Sequence, residues 1–332
     1  MNKKHKALTI FMLILFLFTL LSGCARQERR IGENRETPQK QQKETPVKKP
    51  PIPEQLRNDR NLVVYVVDEG AKKEIDIEEY VAEVLGGEMK NDWPEEALKA
   101  QAILARTFVM EFLVTKTSKY EGADVSTDIE EAQAWNRAAV NERIKKAVQE
   151  TTGMVLSHGG QYVKAWFHAH AGGKTATAKE GLSYKEAEPP YIQVVDSPDS
   201  PEAPKEDAQW TAEFSKQEII QAAKKMGNDI NGLNDIKVNQ RGPSGRALNL
   251  AIDGITVSAP ELRIALGSTK LKSTFLTDIK RVGDKVVFSG KGYGHGVGMS
   301  QWGAYAMAKN GKNATEIIQH YFKDVSLVKL WD

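Results

Sequence analysis

One cysteine, Cys24, serves the whole 332-residue chain. With a single thiol no disulfide can form within the chain, and no thiolate metal site can be built downstream of it. Any stable domain must rest on apolar burial and backbone pairing. The chain is long enough for that. Beyond residue 57 lie 275 residues, in a sequence that is 40% hydrophobic, sufficient for one substantial core or a core carrying insertions. No internal repeat is present.

Cys24 also marks a boundary. Lys3, Lys4 and Lys6 precede an apolar run from Ala7 to Leu21, broken only by Thr9 and Thr19. The run is too short to span a bilayer comfortably and suits the central region of an export signal. It ends in Leu21-Ser22-Gly23-Cys24, which resembles the bacterial lipoprotein box, with small residues before the cut and a thiol after it. Residues 1–23 are read as a signal peptide, and Cys24 as the acylated residue holding the protein to the outer face of the cytoplasmic membrane. The alternative is an ordinary signal peptide with a chance cysteine. Residues 24–57 are polar and proline-rich (Pro38, Pro46, Pro50, Pro51, Pro53) without periodicity, the mark of a disordered tether. Residues 1–57 hold twelve Lys or Arg and five Asp or Glu, a net of +7 against +2 for the whole chain. The basic part falls where an anionic membrane surface would attract it. The remainder is mildly acidic, which speaks against nucleic acid as a ligand.

Residues 58–332 read as α+β, a single domain of short strands and helices with loop insertions. Asn61 to Val67 is a β-branched run that predicts a strand. Ile77, Tyr80, Val81, Val84 and Leu85 have helical spacing, and Gly86-Gly87 is expected to end that helix. A second helix begins near Trp93, with Pro94, Glu95 and Glu96 at its start and a stripe of Leu98, Ala102, Ala105, Val109 and Phe112. Glu88 falls at the junction, and Gln101 and Arg106 lie at the margins of the second stripe, where they could border the same cleft. Thr152 to His168 predicts a hairpin turning at His158-Gly159-Gly160, and residues 187–209 a surface loop. Ser215 with Glu218 opens a helix to Met226. Strands follow near 246–252 and 284–289, then a strand end and short helix within Thr256 to Leu266. The segment Gly292-Tyr293-Gly294-His295-Gly296-Val297-Gly298-Met299-Ser300-Gln301-Trp302-Gly303 leads into a helix of small residues, and Asn313 with Glu316 into a last one through Tyr321.

The stretch Glu79 to Thr107 contains Glu-Tyr-Val, Gly-Glu-Met, Trp-Pro, Glu-Ala-Leu-Lys-Ala-Gln-Ala and Ala-Arg-Thr-Phe. It resembles the stage II sporulation protein D family, which includes the LytB amidase enhancer. Gly292 to Gly303 is similar to that family's closing motif. Ser126 to Trp135, His168 to Thr175, Pro190 to Ser197 and Arg246 to Gly254 are similar too, in the family's order. The resemblance spans about residues 61–325. It implies lytic transglycosylase activity on peptidoglycan glycan strands stripped of stem peptides, on the side of the membrane facing the cell wall, beside a partner amidase. The family's essential acid, the glutamate of Gly-Glu-Met, is Glu88 here, and Arg106 is a second candidate. Such a reaction needs one carboxyl group that gives a proton to the bridging oxygen and then takes one from the muramic C6 hydroxyl. Some relatives bind zinc through a histidine and two cysteines near the positions of Tyr120, Ser126 and Ala132. None of those ligand types stands here, and no zinc is expected.

Each residue also has a plainer reading. Glu88 could be a helix-end surface carboxylate, and Arg106 an ion-pair partner at the core's edge. His168 and His170 could line the glycan groove, satisfy turn backbone groups, or hold a metal as an H-x-H pair, though no third ligand is visible. The glycines around His295 do not fit a phosphate loop, since no G-x-G-x-x-G stands in register. They would let backbone approach sugar closely, with His295 and Gln301 as polar contacts. Trp93, Trp135 and Trp302 could stack on sugars or fill the core. No metal or organic cofactor is expected. Two rivals to the enzyme remain: a non-catalytic wall-binding enhancer of an amidase, and a metal-dependent wall hydrolase built on His168 and His170.

Overall fold

The computed structural model describes residues 48–332. The expected signal peptide, Cys24 and the tether as far as residue 47 lie outside the described residues. Residues 48–57 differ from the expected tether, because they pack on the domain. The Tyr162 hydroxyl donates to the Pro51 carbonyl at 2.8 Å, and Leu56, in the short turn Glu54–Leu56, is buried. Proline's fixed φ suits an extended strap, and Leu56 is its apolar anchor.

Strand β1 (Asn61–Val66) forms where predicted and pairs antiparallel with β2 (Ala71–Asp76). Asp76 then caps helix α1 (Ile77–Glu88), its side chain accepting from the Glu78 N–H at 2.8 Å. Helix α2 (Glu95–Thr115) starts after Pro94, with Glu95 and Glu96 in its first turn. Its predicted stripe is buried. So are Ala97, Ala100, Ile103, Leu104 and Met110 on its other faces. Small residues let α1, α3 (Glu142–Glu150) and the C-terminal helices crowd around α2, which makes it the axis of the main core.

Helix α1 does not stop at Gly86-Gly87 as expected but runs through both to Glu88. A Cβ on Gly86 would meet the Asn136 carbonyl oxygen at 2.4 Å, and one on Gly87 the Trp135 nitrogen at 2.5 Å. Each helical glycine costs about 1 kcal/mol relative to alanine. What offsets that cost is the close seating of residues 134–136 on the helix.

Strand β3 (Val125–Ser126) joins β1 in parallel. Strand β4 (Met154–His158) turns through Gly159-Gly160 into β5 (Gln161–Tyr162), as predicted, but the return strand ends after two residues. The chain then leaves to form β6 (Phe167–His168), which pairs in parallel with Met299–Ser300. The other edge of β4 is taken by Ser326–Lys329. The segment 187–209 is less of a surface loop than expected, since Tyr191 and Ile192 are buried and the Asp199 side chain is 5% exposed.

The helix expected to Met226, the strands expected near 246–252 and 284–289, and the strand end and short helix within 256–266 all form, and further strands pair with them. Strands Gln209–Ser215, Lys285–Lys291 and Leu276–Val282 form one antiparallel sheet, and Ile236–Arg241, Ala247–Ile252 and Ile255–Ser258 another. They enclose a second core around Phe214, Ile219, Leu250, Leu262 and Phe288. The boxes at Ser215 with Glu218 and Asn313 with Glu316 both form. The whole is α+β, as the sequence implied.

Candidate active site

Three segments distant in sequence meet at the end of α1. Glu88 occupies its last turn, and residues 134–136 lie across Gly86 and Gly87. The parallel pairing of His168 with Ser300 sets β6 beside the helix Gln301–Lys309, which Ser300 caps through the Gly303 N–H. Gly294, at φ 108°, lets its loop pass over β6, since a Cβ there would sit 2.7 Å from the His168 Cβ. The result is a cleft of about 600 Å³ whose wall includes Glu88, Gln133, Trp166, His168, Arg263, Tyr293, His295 and Gln301.

The Glu88 carboxyl accepts one hydrogen bond from the protein backbone, the Ala134 N–H at 2.8 Å on Oε1. Gln301 reaches the same residue, donating from Nε2 to the Glu88 carbonyl at 3.2 Å and hydrogen-bonding its carboxyl. Burial pushes the carboxyl up to about 7, against the opposing pull of the Ala134 and Gln301 hydrogen bonds. A group so placed can hold a proton near neutral pH and also release it. That is the range a general acid needs.

Both cleft histidines are neutral. Burial, with the cations Arg246 and Arg263 nearby, holds His295 down to about 3, and burial with the His295 ring holds His168 well below the usual range. The His295 Nδ1 accepts from the Val297 N–H at 3.0 Å, so its proton rides on Nε2. The His168 Nδ1 lies 3.1 Å from the Val297 carbonyl and must donate to it. Its Nε2 is left as a bare acceptor with no partner among the described residues. Neither imidazole is an acid here.

Glu88, His168, His295 and Gln301 therefore share one cleft. Arg106, Gln101 and His170 do not line it. The Arg106 guanidinium is fully buried and pairs with Glu78, Nε to Oε1 at 3.1 Å, while Nη1 donates to the Met154 carbonyl at 3.0 Å. This is the ion-pair reading of the residue, moved from the core's edge to its interior. Gln101 is buried on α2 with both amide atoms unpartnered among the described residues. The His170 Nδ1 accepts from the Gly172 N–H at 3.0 Å and stands 3.3 Å from Asp199, away from the cleft. His168 and His170 thus have separate surroundings, which removes the geometry of a metal pair. Trp93 and Trp302 pack against each other in the core, their rings tilted by 51° with centroids 4.5 Å apart.

At the place where the resemblance would put zinc, the donors are used otherwise. The Ser126 hydroxyl donates to the Glu131 carboxylate, Tyr120 donates to Asp128 at 2.9 Å, and Ala132 has no donor atom. The set does not fit a zinc ion.

Sequence reasoning missed Gln133, Arg263, Trp166 and Tyr293 as cleft residues, and missed the Ala134 N–H altogether. Gln133 is buried with both amide atoms unpartnered. Within Glu-Glu-Ala-Gln-Ala-Trp no periodicity marks it. Only its place inside the Ser126 to Trp135 stretch pointed there.

The seat of Ala134 gives a direct test. In Gly87→Ala the new Cβ would lie 2.6 Å from the Ala134 carbonyl carbon, so backbone must shift and the N–H must withdraw from Glu88. Stability is expected to fall by about 1–3 kcal/mol in denaturant unfolding, as for other overpacked sites. The Glu88 carboxyl, losing a hydrogen bond that lowers it, should titrate above its wild-type value when followed by NMR on the folded variant. An unchanged titration would mean that the Ala134 N–H still reaches the carboxyl.

Residues 67–158, which hold Glu88 and Gln133, match the family described as Stage II sporulation protein. Residues 183–298, which hold Arg263 and His295, match a domain of unknown function. An uncharacterized protein of Brachyspira hyodysenteriae is 32% identical over 255 residues, covering 77% of this chain and 67% of that one. The stage II sporulation protein D of Bacillus amyloliquefaciens is 29% identical over 330 residues, 95% of this chain and 92% of its own. The amidase enhancer of Bacillus subtilis is 27% identical over 296 residues, 74% of this chain but 39% of that protein. With the Gly-Glu-Met carboxyl and the closing glycine motif brought together in one cleft, the chain belongs to the stage II sporulation protein D family, SpoIID, which includes the LytB amidase enhancer.

Proposed function

We propose that this protein is a peptidoglycan lytic transglycosylase, lipid-anchored at Cys24 to the outer face of the cytoplasmic membrane, which cuts peptide-stripped glycan strands during cell-wall remodelling or sporulation. The observation that carries this reading is that, among the described residues, Glu88 is the only carboxylic side chain lining the cleft and is held up to about 7 by burial. The nearby Glu83 is occupied by Trp135 Nε1 at 2.9 Å and by Arg137, and Glu131 by the Lys119 N–H at 2.6 Å and by Ser126. A hydrolase of the two-carboxylate kind needs a second such group to activate water. One carboxyl suffices when the nucleophile is the sugar's own hydroxyl.

In this mechanism Glu88 gives its proton to the oxygen bridging N-acetylmuramic acid C1 and N-acetylglucosamine, and that C1–O bond breaks. The muramic C6 oxygen closes on C1, and its proton passes to the Glu88 carboxylate. The acid is restored, no water is consumed, and the strand ends in 1,6-anhydro-muramic acid. Ala134 and Gln301 hold the carboxyl. Trp166 and Tyr293 offer aromatic faces to the sugars.

The test is to incubate residues 48–332, the whole described fold, with peptide-free strands and analyse products by mass spectrometry across pH. Anhydro ends are expected, with kcat/KM falling as pH rises through about 7 because the acid is then lost. Hydrolysed, reducing ends would defeat the transglycosylase reading. The relative named amidase enhancer favours a second reading, a non-catalytic binder that works through a partner N-acetylmuramoyl-L-alanine amidase. Strand binding without cutting, together with stimulation of an added amidase, would select it.

A further inference from the structure

Among the described residues the cleft wall contains one cationic side chain, Arg263, contributed by the helix Ala259–Ala265 of the inserted core. The residue is 7% exposed. Its Nε donates to the Lys272 carbonyl at 3.0 Å and its Nη2 to the Ser268 carbonyl at 3.2 Å, which leaves Nη1 for a ligand. Among the described residues no carboxylate pairs with it. Of the other withdrawn cations, Lys272 pairs with Asp207 at 2.8 Å, and Arg106 with Glu78. Arg246, also buried without a carboxylate pair, lies outside the cleft wall and donates to the Ala171 and Lys174 carbonyls at 2.6 and 2.7 Å. A guanidinium taken out of water without an anionic partner is costly, and burial pushes Arg263 down to about 10. The rest of the wall offers no compensation. His168 and His295 are neutral, and the Glu88 carboxyl, raised to about 7, carries its proton below that pH. Below pH 7 the cleft, as the described residues line it, is a cationic pocket lacking an anion.

We infer that Arg263 is a carboxylate subsite, and that its ligand is the lactyl carboxylate which a muramic acid residue presents only after its stem peptide has been removed. The inference rests on the glycan-cleaving reading and deepens it. While the peptide is attached, the lactyl group is a neutral amide and cannot neutralise a guanidinium. Once the amide is hydrolysed, a planar carboxylate matches the guanidinium fork. The cleft would then read, through one side chain, whether an amide-hydrolysing enzyme has already worked on the strand. The class of reaction that must supply this substrate is therefore hydrolysis of the lactyl amide.

The experiment uses the full-length chain carrying Glu88→Gln, so that strands are bound and not cut. Binding is measured to peptide-free strands with free lactyl carboxylates, and to the same strands after condensation of those carboxylates with methylamine into neutral amides. At least about 10-fold tighter binding to the free carboxylates is expected, the scale of a hydrogen bond to a charged group. Adding Arg263→Met should erase the difference, and Arg263→Lys should keep part of it. Thermal unfolding is followed for both variants, because Arg263 also holds the Lys272 and Ser268 carbonyls; if Arg263→Met fails to fold, the comparison of the two strand preparations decides alone. Equal binding of both preparations by the Glu88→Gln chain overturns the subsite and leaves the glycan reading standing. So does a preference that persists in folded Arg263→Met. Binding to neither preparation sinks the glycan reading itself, and the subsite with it.

Discussion

Glu88→Gln is expected to lower strand cleavage about a thousandfold while leaving the fold in place and, above neutral pH, stabilising it. On the proposed mechanism the loss of rate follows from removing the only carboxyl group that lines the cleft among the described residues, since general acid–base catalysis contributes about 10²–10⁴. The gain in stability follows from the sign of the shift. The folded carboxyl titrates at about 7 against an ordinary value of 4.5. A raised value means that the folded state favours the proton. Its contribution is fully present below pH 4.5 and is lost as pH rises through 7. A neutral glutamine avoids that loss. At pH 8–9 the variant should be more stable by on the order of 2 kcal/mol, less than the full shift would give because Glu88 keeps some exposure. The two proteins should converge near pH 4. Denaturant unfolding at pH 4 and pH 8.5 measures the difference. A variant destabilised equally at both would show that folding does not raise the carboxyl's titration, and the acid role would go with it.

The second large effect concerns the ion pair beneath the site. Glu78, in the first turn of α1, gathers Arg106, the Gly153 N–H at 3.0 Å and Trp331 Nε1 at 3.1 Å on one carboxylate. Glu78→Ala is expected to cost about 3–5 kcal/mol, because it strands a fully buried guanidinium and unseats two further donors. The midpoint of thermal unfolding should fall by on the order of 10 °C. Replacing both partners, Glu78→Met with Arg106→Met, should recover part of that loss, since the buried charge goes too. Glycan binding by folded Glu78→Ala should stay within about twofold of wild type, as neither partner lines the cleft. A large affinity loss in a protein that still folds would return Arg106 to the substrate site.

The two pairs of site expectations show what sequence reading can reach. Glu88 and His295 came from motifs, and motif position was enough because backbone geometry places them. Arg106 came from a motif as well, yet its guanidinium turns inward to Glu78. Which way a helical side chain faces depends on which neighbours cover the helix, and α2 is covered on every side. Gly86-Gly87 misled for a related reason. Locally a glycine pair reads as a helix stop, while here it is the landing for residues 134–136, which lie 46 and more positions along the chain. In the inserted region the strands near 246–252 and 284–289 were legible, while Gln209–Ser215, Ile236–Arg241 and Leu276–Val282 were not, and the second core is visible only once Phe214 and Phe288 are packed edge to face at 5.9 Å.

By itself the sequence determined what local chemistry dictates. The caps at Asp76, Ser215 and Asn313 set helix starts, the Gly159-Gly160 turn set a hairpin, and the lone thiol left the fold to apolar burial. Only the tertiary structure decided the chemistry of the cleft. It withdrew Glu88 from water, left the His168 Nε2 without a partner among the described residues, and left Arg263 without an anion. The physical reason is that ionisation and hydrogen-bond satisfaction depend on what lies within a few ångströms, and those neighbours come from segments up to 213 residues apart.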